Sequence, residues 1–328
     1  MRLFLAVLAA VLLAQADEPL RLERSTDAMG TTFSVVLYGS DQASMNQAFD
    51  AAFEEVHRLD ALLSNYQPAS EWSRINREAD AHPVAVSQEL FRLLSDCLEY
   101  SRASEGTFDL TVGPLMRAWG FHGGERHVPS PEQIRDALEL VGYRHLQLNA
   151  QRETVGFDRP GVEIDPGGVG KGYAVDRMVG TLRVRGFRNA LVAASGSTIF
   201  GLGAPPEEPR GWPISIADPW DHRKNAARVF LKDLSLSTSG SYEKSFRVGG
   251  HRYSHIMDPR RGAPAETAVQ VTVVAPRAID SEVWAKPYFI QGSAWTAAHK
   301  PNSWRVLYCE NTPGTACSWV ESDGSTAR

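Results

Sequence analysis

Apolar positions along this chain recur with two different periods. Thr32–Tyr38 is dense in β-branched and aromatic residues and stops at Gly39, which predicts a strand. Phe49, Ala52, Phe53, Val56, Leu59, Leu62 and Leu63 are spaced by threes and fours, the mark of an amphipathic helix. Leu90, Leu93, Leu94, Cys97 and Leu98 repeat that spacing in a second helix. Ser130-Pro131-Glu132-Gln133 opens a third: Ser130 can cap, Pro131 suits the first turn, and Gln133 completes a capping box. A fourth helix is predicted from Gly172 to Arg185, stopped by Gly186. Ala190–Ala194 and Thr198–Leu202 read as paired strands about Ser195-Gly196-Ser197, with further strands at Gln270–Ala275 and Trp304–Tyr308. Gly203–Trp220, rich in Pro and Gly, reads as a surface loop. Strands and helices mix without strict alternation, so the fold class is α+β or mixed α/β.

The first sixteen residues fit none of these patterns. Arg2 precedes an unbroken apolar run, Leu3–Leu13, and Ala14-Gln15-Ala16 has the small-x-small form of a signal-peptidase site. The run is about half the ~20 residues a spanning helix needs. The expectation is a cleaved export signal over residues 1–16, a mature domain over 17–328, and a location in a bacterial periplasm or cell envelope. Composition adds little beyond exclusion. With 43% hydrophobic and 22% charged residues the chain is ordinary globular material, and a net charge of −5 leaves no basic excess for nucleic acid. Three cysteines, none in a C-x-x-C pair, argue against a thiolate zinc site. Export would permit a disulfide between Cys309 and Cys317, which flank a turn-like Asn311–Gly314; Cys97 falls on an apolar helical face and reads as core.

The chemistry concentrates in Glu163-Ile164-Asp165-Pro166-Gly167-Gly168-Val169-Gly170-Lys171-Gly172-Tyr173-Ala174-Val175-Asp176. A glycine-dense turn runs into a helix whose first N–H groups are free to meet an anion, and Lys171 adds a point charge. The spacing is neither a Walker loop nor a dinucleotide-binding G-x-G-x-x-G. Such a turn with a solvated lysine is, by itself, equally compatible with a purely structural role.

This segment resembles the G-G-x-x-K-G-Y-A-x-D signature of the ApbE family, the FAD:protein FMN transferases. Ala28-Met29-Gly30-Thr31, Leu63-Ser64-Asn65-Tyr66 through Ser73-Arg74-Ile75-Asn76, Gly106-Thr107-Phe108-Asp109-Leu110-Thr111-Val112-Gly113-Pro114-Leu115 with Trp119-Gly120-Phe121, Ser237-Thr238-Ser239-Gly240-Ser241-Tyr242, and Ser254-His255-Ile256-Met257-Asp258-Pro259 resemble further blocks of the same family in the same order. They cover residues 28–292, leaving a C-terminal strand and tail at 293–328. The resemblance implies an ApbE-like fold of mixed sheets flanked by helices. It implies an enzyme that binds FAD with Mg²⁺, cleaves the pyrophosphate, moves FMN onto a Thr or Ser hydroxyl of an acceptor protein and releases AMP. It marks Asp176, Lys171 and His255 as catalytic candidates. It assigns FAD contacts to Met29, Tyr66, Phe108, Asp109, Thr111, Gly167, Gly168, Lys171, Ser239 and His255, with Trp119 a further ring that could line the flavin.

The sequence departs from the family pattern at the Ser195-Gly196-Ser197 turn, where G-G-D is usual and a carboxylate is thereby lost, and at two positions of the metal site. The family's metal site takes a glycine-loop carbonyl, here Gly170, and the Asp and Thr of a late D-x-x-x-T motif, which align with Glu282 and Lys286. Glu can still offer a hard oxygen, but a protonated lysine cannot ligate a cation. Pro287 beside it is expected to kink or shorten the helix that carries them. Three readings follow: the Lys286 ammonium replaces much of the metal's charge; the site is lost, leaving a non-catalytic flavin binder; or Asp280, Ser281 or Glu282 rebuilds it by a register shift. A hydrolase giving free FMN and AMP is the remaining alternative. The tail Asp323-Gly324-Ser325-Thr326 resembles an acceptor pattern only faintly and reads as tail.

Overall fold

The computed structural model describes residues 19–322, so the expected leader and the Asp323–Thr326 stretch lie outside the described residues. Its frame is an eight-stranded sheet in the order β1 (Leu20–Ala28), β2 (Thr31–Gly39), β6 (Ala190–Ala194), β7 (Thr198–Leu202), β10 (Leu234–Gly240), β15 (Ala268–Ala275), β16 (Arg305–Glu310) and β17 (Ser318–Trp319), antiparallel at every pairing. The period-two pattern sends alternate residues to opposite faces. On β2, Phe33, Val35 and Leu37 pack under α1 (Gln42–Leu63) and α6 (Gly170–Val184), while Val36 points the other way. Met45, Phe49, Ala52, Val56 and Leu59 give α1 the matching buried stripe, and Asp41 caps its first turn by accepting from the Ala43 and Ser44 amides. β15 is buried along its whole length: Val271 and Val273 meet α7 (Ala278–Gln291), and Val274 joins the opposite layer.

That opposite layer overturns one expectation. Gly203–Trp220 is not only surface loop: it contains β8 (Trp212–Ala217), which pairs with β9 (Asn225–Leu231) in a hairpin laid on the sheet. Trp212, Ile216, Val229 and Leu231 bury against Val36, Leu236, Val274 and Leu307. Four alternating apolar residues were enough to cover a sheet face, although Pro and Gly dominate the first half of the segment.

A second core joins α2 (Glu71–Glu78), α3 (Gln88–Ala103) and a small sheet ordered β3 (Val84–Ala85), β5 (Thr154–Phe157), β4 (Leu146–Asn149). Cys97 sits in it fully buried. Ile279 and Val283 of α7 enter the same core, so α7 ties it to the main sheet. A third group packs α4 (Gly113–Ala118) and α5 (Pro131–Leu138) beside the hairpin β11 (Ser245–Val248)–β12 (His251–Ser254) and the short pair β13 (Met257–Asp258)–β14 (Ala263–Pro264). Ser130 and Gln133 form the expected capping box on α5. Trp119 belongs to this core: it is buried and donates from Nε1 to the Gly262 carbonyl at 2.9 Å, away from any ligand cleft.

α7 also departs from expectation. It runs unbroken through Pro287 to Gln291 and is followed by α8 (Ser293–His299). Proline removes one amide donor, but the helix is wedged between two cores, and burial of Val283, Ala285, Tyr288 and Phe289 outweighs the lost bond.

Cys309 and Cys317 are disulfide-bonded, closing the turn between β16 and β17. An eight-residue separation removes about 2.5 kcal/mol of unfolded-chain entropy in the loop-closure treatment. Cys317→Ser should therefore lower unfolding stability by about that amount in denaturant titration, and reductant should lower the wild type alone.

Candidate active site

The elements converge on a cleft of about 500 Å³. The β1–β2 turn supplies Met29 and Gly30, the end of α1 leads to Tyr66, the glycine loop supplies Gly167, Gly168, Gly170 and Lys171, β10 supplies Ser237 and Ser239, and α7 supplies Glu282 and Lys286. Phe108, Asp109 and His255 complete the wall. Met29 and Ser195, both on the cleft, hold positive φ (52° and 47°), a conformation side chains rarely adopt. Such strain is usually found where a turn must present itself to a ligand.

The floor is charged. Glu282 is 2% exposed; its Oε2 accepts from the Gly172 amide at 2.5 Å, and its Oε1 pairs with Lys171 Nζ at 2.8 Å. Burial pushes the Glu282 carboxyl up, but the charges of Lys171 and Lys286 outweigh it and hold it below the ordinary glutamate range. Burial likewise pushes Lys171 down, and Glu282 more than reverses that. Lys286 Nζ donates to the Glu282 carbonyl at 2.7 Å and the Gly168 carbonyl at 3.1 Å, and stands 3.9 Å from Glu282 Oε1. Burial, only partly offset by Glu282, pushes it down to about 8, which leaves it cationic at neutral pH.

Above the floor, the Nδ1 of half-buried His255 has no hydrogen-bond partner among the described residues. Burial, with Lys244, Lys286 and Lys171 nearby, pushes His255 down to about 4, so the ring is neutral at pH 7. At the mouth, the exposed Tyr66 ring lies nearly parallel to His122, with centroids 6.3 Å apart. His122 in turn pairs with Asp165, a contact that raises its pKa. Asp165 Oδ1 accepts from the Gly167 amide at 2.6 Å and so fixes the glycine loop. Neither His122 nor Asp165 was among the residues expected from sequence. His122 directly follows Trp119-Gly120-Phe121, and Asp165 opens the Pro-Gly-Gly turn, a position where aspartate commonly accepts from the amide two residues on.

Three expected placements are corrected. Asp176 does not line the cleft: its carboxylate caps α7, accepting from the Ala278 amide at 2.8 Å and the Ile279 amide at 2.9 Å. Burial pushes it up to about 6 against those two bonds. Asp176→Ala orphans two amides and should cost about 2 kcal/mol in urea unfolding, while FAD binding below the transition is retained. Thr111 is fully buried and spent on structure: its hydroxyl donates to Asp109 Oδ1 at 2.7 Å and accepts from the Gly142 amide at 2.7 Å. Asp109 lines the cleft but is similarly engaged, also accepting from the Tyr143 amide at 2.6 Å. The loop carbonyl at the α7 ammonium is that of Gly168, not Gly170, which opens α6.

The residues present do not fit a divalent metal. An ammonium stands between the two nearest carbonyls, where it repels a cation, and the Glu282 Oε1, which accepts no hydrogen bond, is ion-paired with a second ammonium, that of Lys171, at 2.8 Å. Asp280 faces away, accepting from Tyr100 at 2.5 Å and from Arg277 at 2.6 Å, and Ser281 bonds Ser237 at 2.8 Å, so neither can rebuild a metal site by a register shift.

A family model described as the ApbE family matches residues 29–304. The chain belongs to the ApbE family. An FAD:protein FMN transferase of Salmonella typhimurium is 32% identical over 274 residues, covering 81% of this chain and 77% of the relative. The one from Vibrio cholerae is 30% identical over 306 residues, covering 89% and 88%. Among solved structures, an ApbE protein from Thermotoga maritima matches with a TM-score of 0.84 at 29% identity, covering 93% of this chain and 97% of that one. A flavin transferase ApbE from Vibrio cholerae matches at 0.79 and 28%, covering 93% and 98%.

Proposed function

We propose that this chain is an FAD:protein FMN transferase: it cleaves FAD at the pyrophosphate, attaches FMN to a Thr or Ser hydroxyl of an acceptor protein and releases AMP. The observation that carries the reading is the meeting of Lys171, Lys286 and the glycine-loop amides on one cleft floor beside a neutral histidine with a free ring nitrogen. The two ammonium groups share the floor with the Glu282 carboxylate, and Glu243 and Asp165 stand further off on the same cleft, so the positive charge a pyrophosphate needs is local to the Lys171–Lys286 pair. Phosphoryl transfer asks for positioning and charge neutralisation above all. Lys171 and the loop amides hold the pyrophosphate. Gly168 keeps that approach open, since a Cβ there would sit 3.1 Å from the Phe108 ring. His255, already unprotonated, takes the proton of the acceptor hydroxyl as it attacks the FMN phosphorus. The bound anion offsets the lysine charges that depress His255, which brings its basicity closer to the working range.

The same reading places the protein outside the cytoplasm, in a bacterial envelope. Support comes from the signal-like leader and from the Cys309–Cys317 disulfide, a bond that persists in oxidising compartments. Cell fractionation with N-terminal sequencing should find a mature chain starting at Asp17.

The activity test incubates residues 17–328 with FAD and an exported acceptor domain carrying a Thr flavinylation site. Covalent FMN on the acceptor, read by mass, with one AMP released per transfer is expected. Free FMN and AMP without covalent product would replace the reading with a hydrolase. FAD binding without AMP would replace it with a flavin carrier.

A further inference from the structure

Lys286 combines features that surface lysines lack. Its side chain is 22% exposed, it reaches the cleft from α7, and its ammonium is held by oxygens from two separate elements: the Gly168 carbonyl of the glycine loop and the Glu282 carbonyl one turn back on its own helix. Hard oxygens in this arrangement are what a small divalent cation would also take. Here they are donated to instead. An ammonium has three N–H donors, and two are committed to carbonyls, which leaves one for an anion in the cleft. Glu282 supplies the nearby negative charge: its Oε2 accepts from the Gly172 amide, and its Oε1, which accepts no hydrogen bond, faces the ammonium groups of Lys171 at 2.8 Å and Lys286 at 3.9 Å, two cations already standing where a metal would have to approach it.

We propose that Lys286 is a built-in cation, its ammonium occupying the Gly168 and Glu282 carbonyl oxygens that a divalent ion would need, so that FAD binding and FMN transfer by this chain proceed without divalent metal. The inference rests on the transferase reading for its second half, but its binding half is independent of it. The ammonium carries one positive charge where a divalent ion would carry two. Arg126, Lys171 and Lys244 line the cleft with it, against Asp60, Asp109, Asp165, Glu243 and Glu282, so the pyrophosphate charge is met by where the two floor ammonium groups stand and not by the overall balance of the cleft.

The test begins with the wild-type mature chain. Mn²⁺ titration followed by electron paramagnetic resonance, with and without FAD, should show no stoichiometric site in the cleft, and the FAD dissociation constant should agree within twofold between EDTA and millimolar Mg²⁺. Transfer to the acceptor should run at the same rate in both. Lys286→Met should weaken FAD binding in EDTA by tenfold or more. Lys286→Thr, which replaces the ammonium with a neutral oxygen donor, should gain a one-to-one Mn²⁺ site and an Mg²⁺ requirement for tight FAD binding. Stoichiometric Mn²⁺ in the wild type, or FAD binding tightened tenfold by Mg²⁺, overturns the proposal, and these arms stand even where a variant fails to fold. Metal-independent FAD binding with no transfer under any condition would instead overturn the transferase reading and leave the role of Lys286 in place.

Discussion

Lys171→Met should lower kcat/KM for FMN transfer by about 10²–10³-fold, the size seen when a preorganised charge donor to a transition state is removed. Lys171 does two jobs in the cleft. It presents a positive charge next to the glycine-loop amides, and it neutralises the Glu282 carboxylate 2.8 Å away. Methionine keeps the unbranched apolar stem as far as the Cε position and removes both. Glu282 would then face the FAD pyrophosphate with only Lys286 to balance it, so ground-state binding falls as well: KM should rise about tenfold, with kcat carrying the remainder. Lys171→Arg should not restore the rate, because a planar fork cannot occupy the space of a compact ammonium. Steady-state AMP release and single-turnover transfer separate the two effects. A variant within threefold of wild type in both would remove Lys171 from the proposed mechanism.

The second large effect is on stability. Glu282→Gln keeps an acceptor for the Gly172 amide but leaves two half-buried ammonium groups without their buried carboxylate. Breaking one side of a buried ion pair costs about 3–5 kcal/mol, which for a chain of this size lowers Tm by about 5–8 °C. The pH dependence has a definite sign. The folded-state pKa of Glu282 is depressed, so its contribution is present above the ordinary glutamate pKa and is lost as the pH falls through the folded value. The gap in Tm between wild type and variant should therefore be full at pH 7 and shrink below about pH 4.5. Saturating FAD should raise the Tm of the variant more than that of the wild type, since a bound pyrophosphate restores the missing negative charge.

Much of the fold was legible before any coordinates. The strands at Ala190–Ala194 and Thr198–Leu202 keep their expected limits, and α1, α3 and α5 lie where periodicity and capping place them. What escaped was set by neighbours rather than by local pattern. The β8–β9 hairpin was hidden because Gly and Pro are strong local punctuation, while the sheet face that needs Trp212 and Ile216 comes from distant segments. Pro287 was expected to disrupt α7 because a lost amide bond is a local cost; the compensating burial against two cores is not local at all. Among site residues, glycine loop and lysine were readable because backbone approach and charge are written in residue type. Asp176 and Thr111 were not, since a carboxylate or hydroxyl serves equally as a ligand contact or as a cap, and only the partner decides which. His122 needed the chain to fold before its pairing with Asp165 could exist.

Gly172 has a consequence for how finely this cleft can be tuned. A Cβ at that residue would stand 2.4 Å from the Ala278 carbonyl oxygen and 2.8 Å from the Ile279 Cα. It is the bearing surface on which α6 rests against the start of α7. Lys171 sits one residue before it, and Lys286 two turns along the other helix, so the gap between the two ammonium groups is set by how closely that joint seats. Even a methyl group there would act as a shim about 1 Å thick. Gly172→Ala leaves every charged residue in place, and it would test whether the pyrophosphate tolerates a wider span between its two cations.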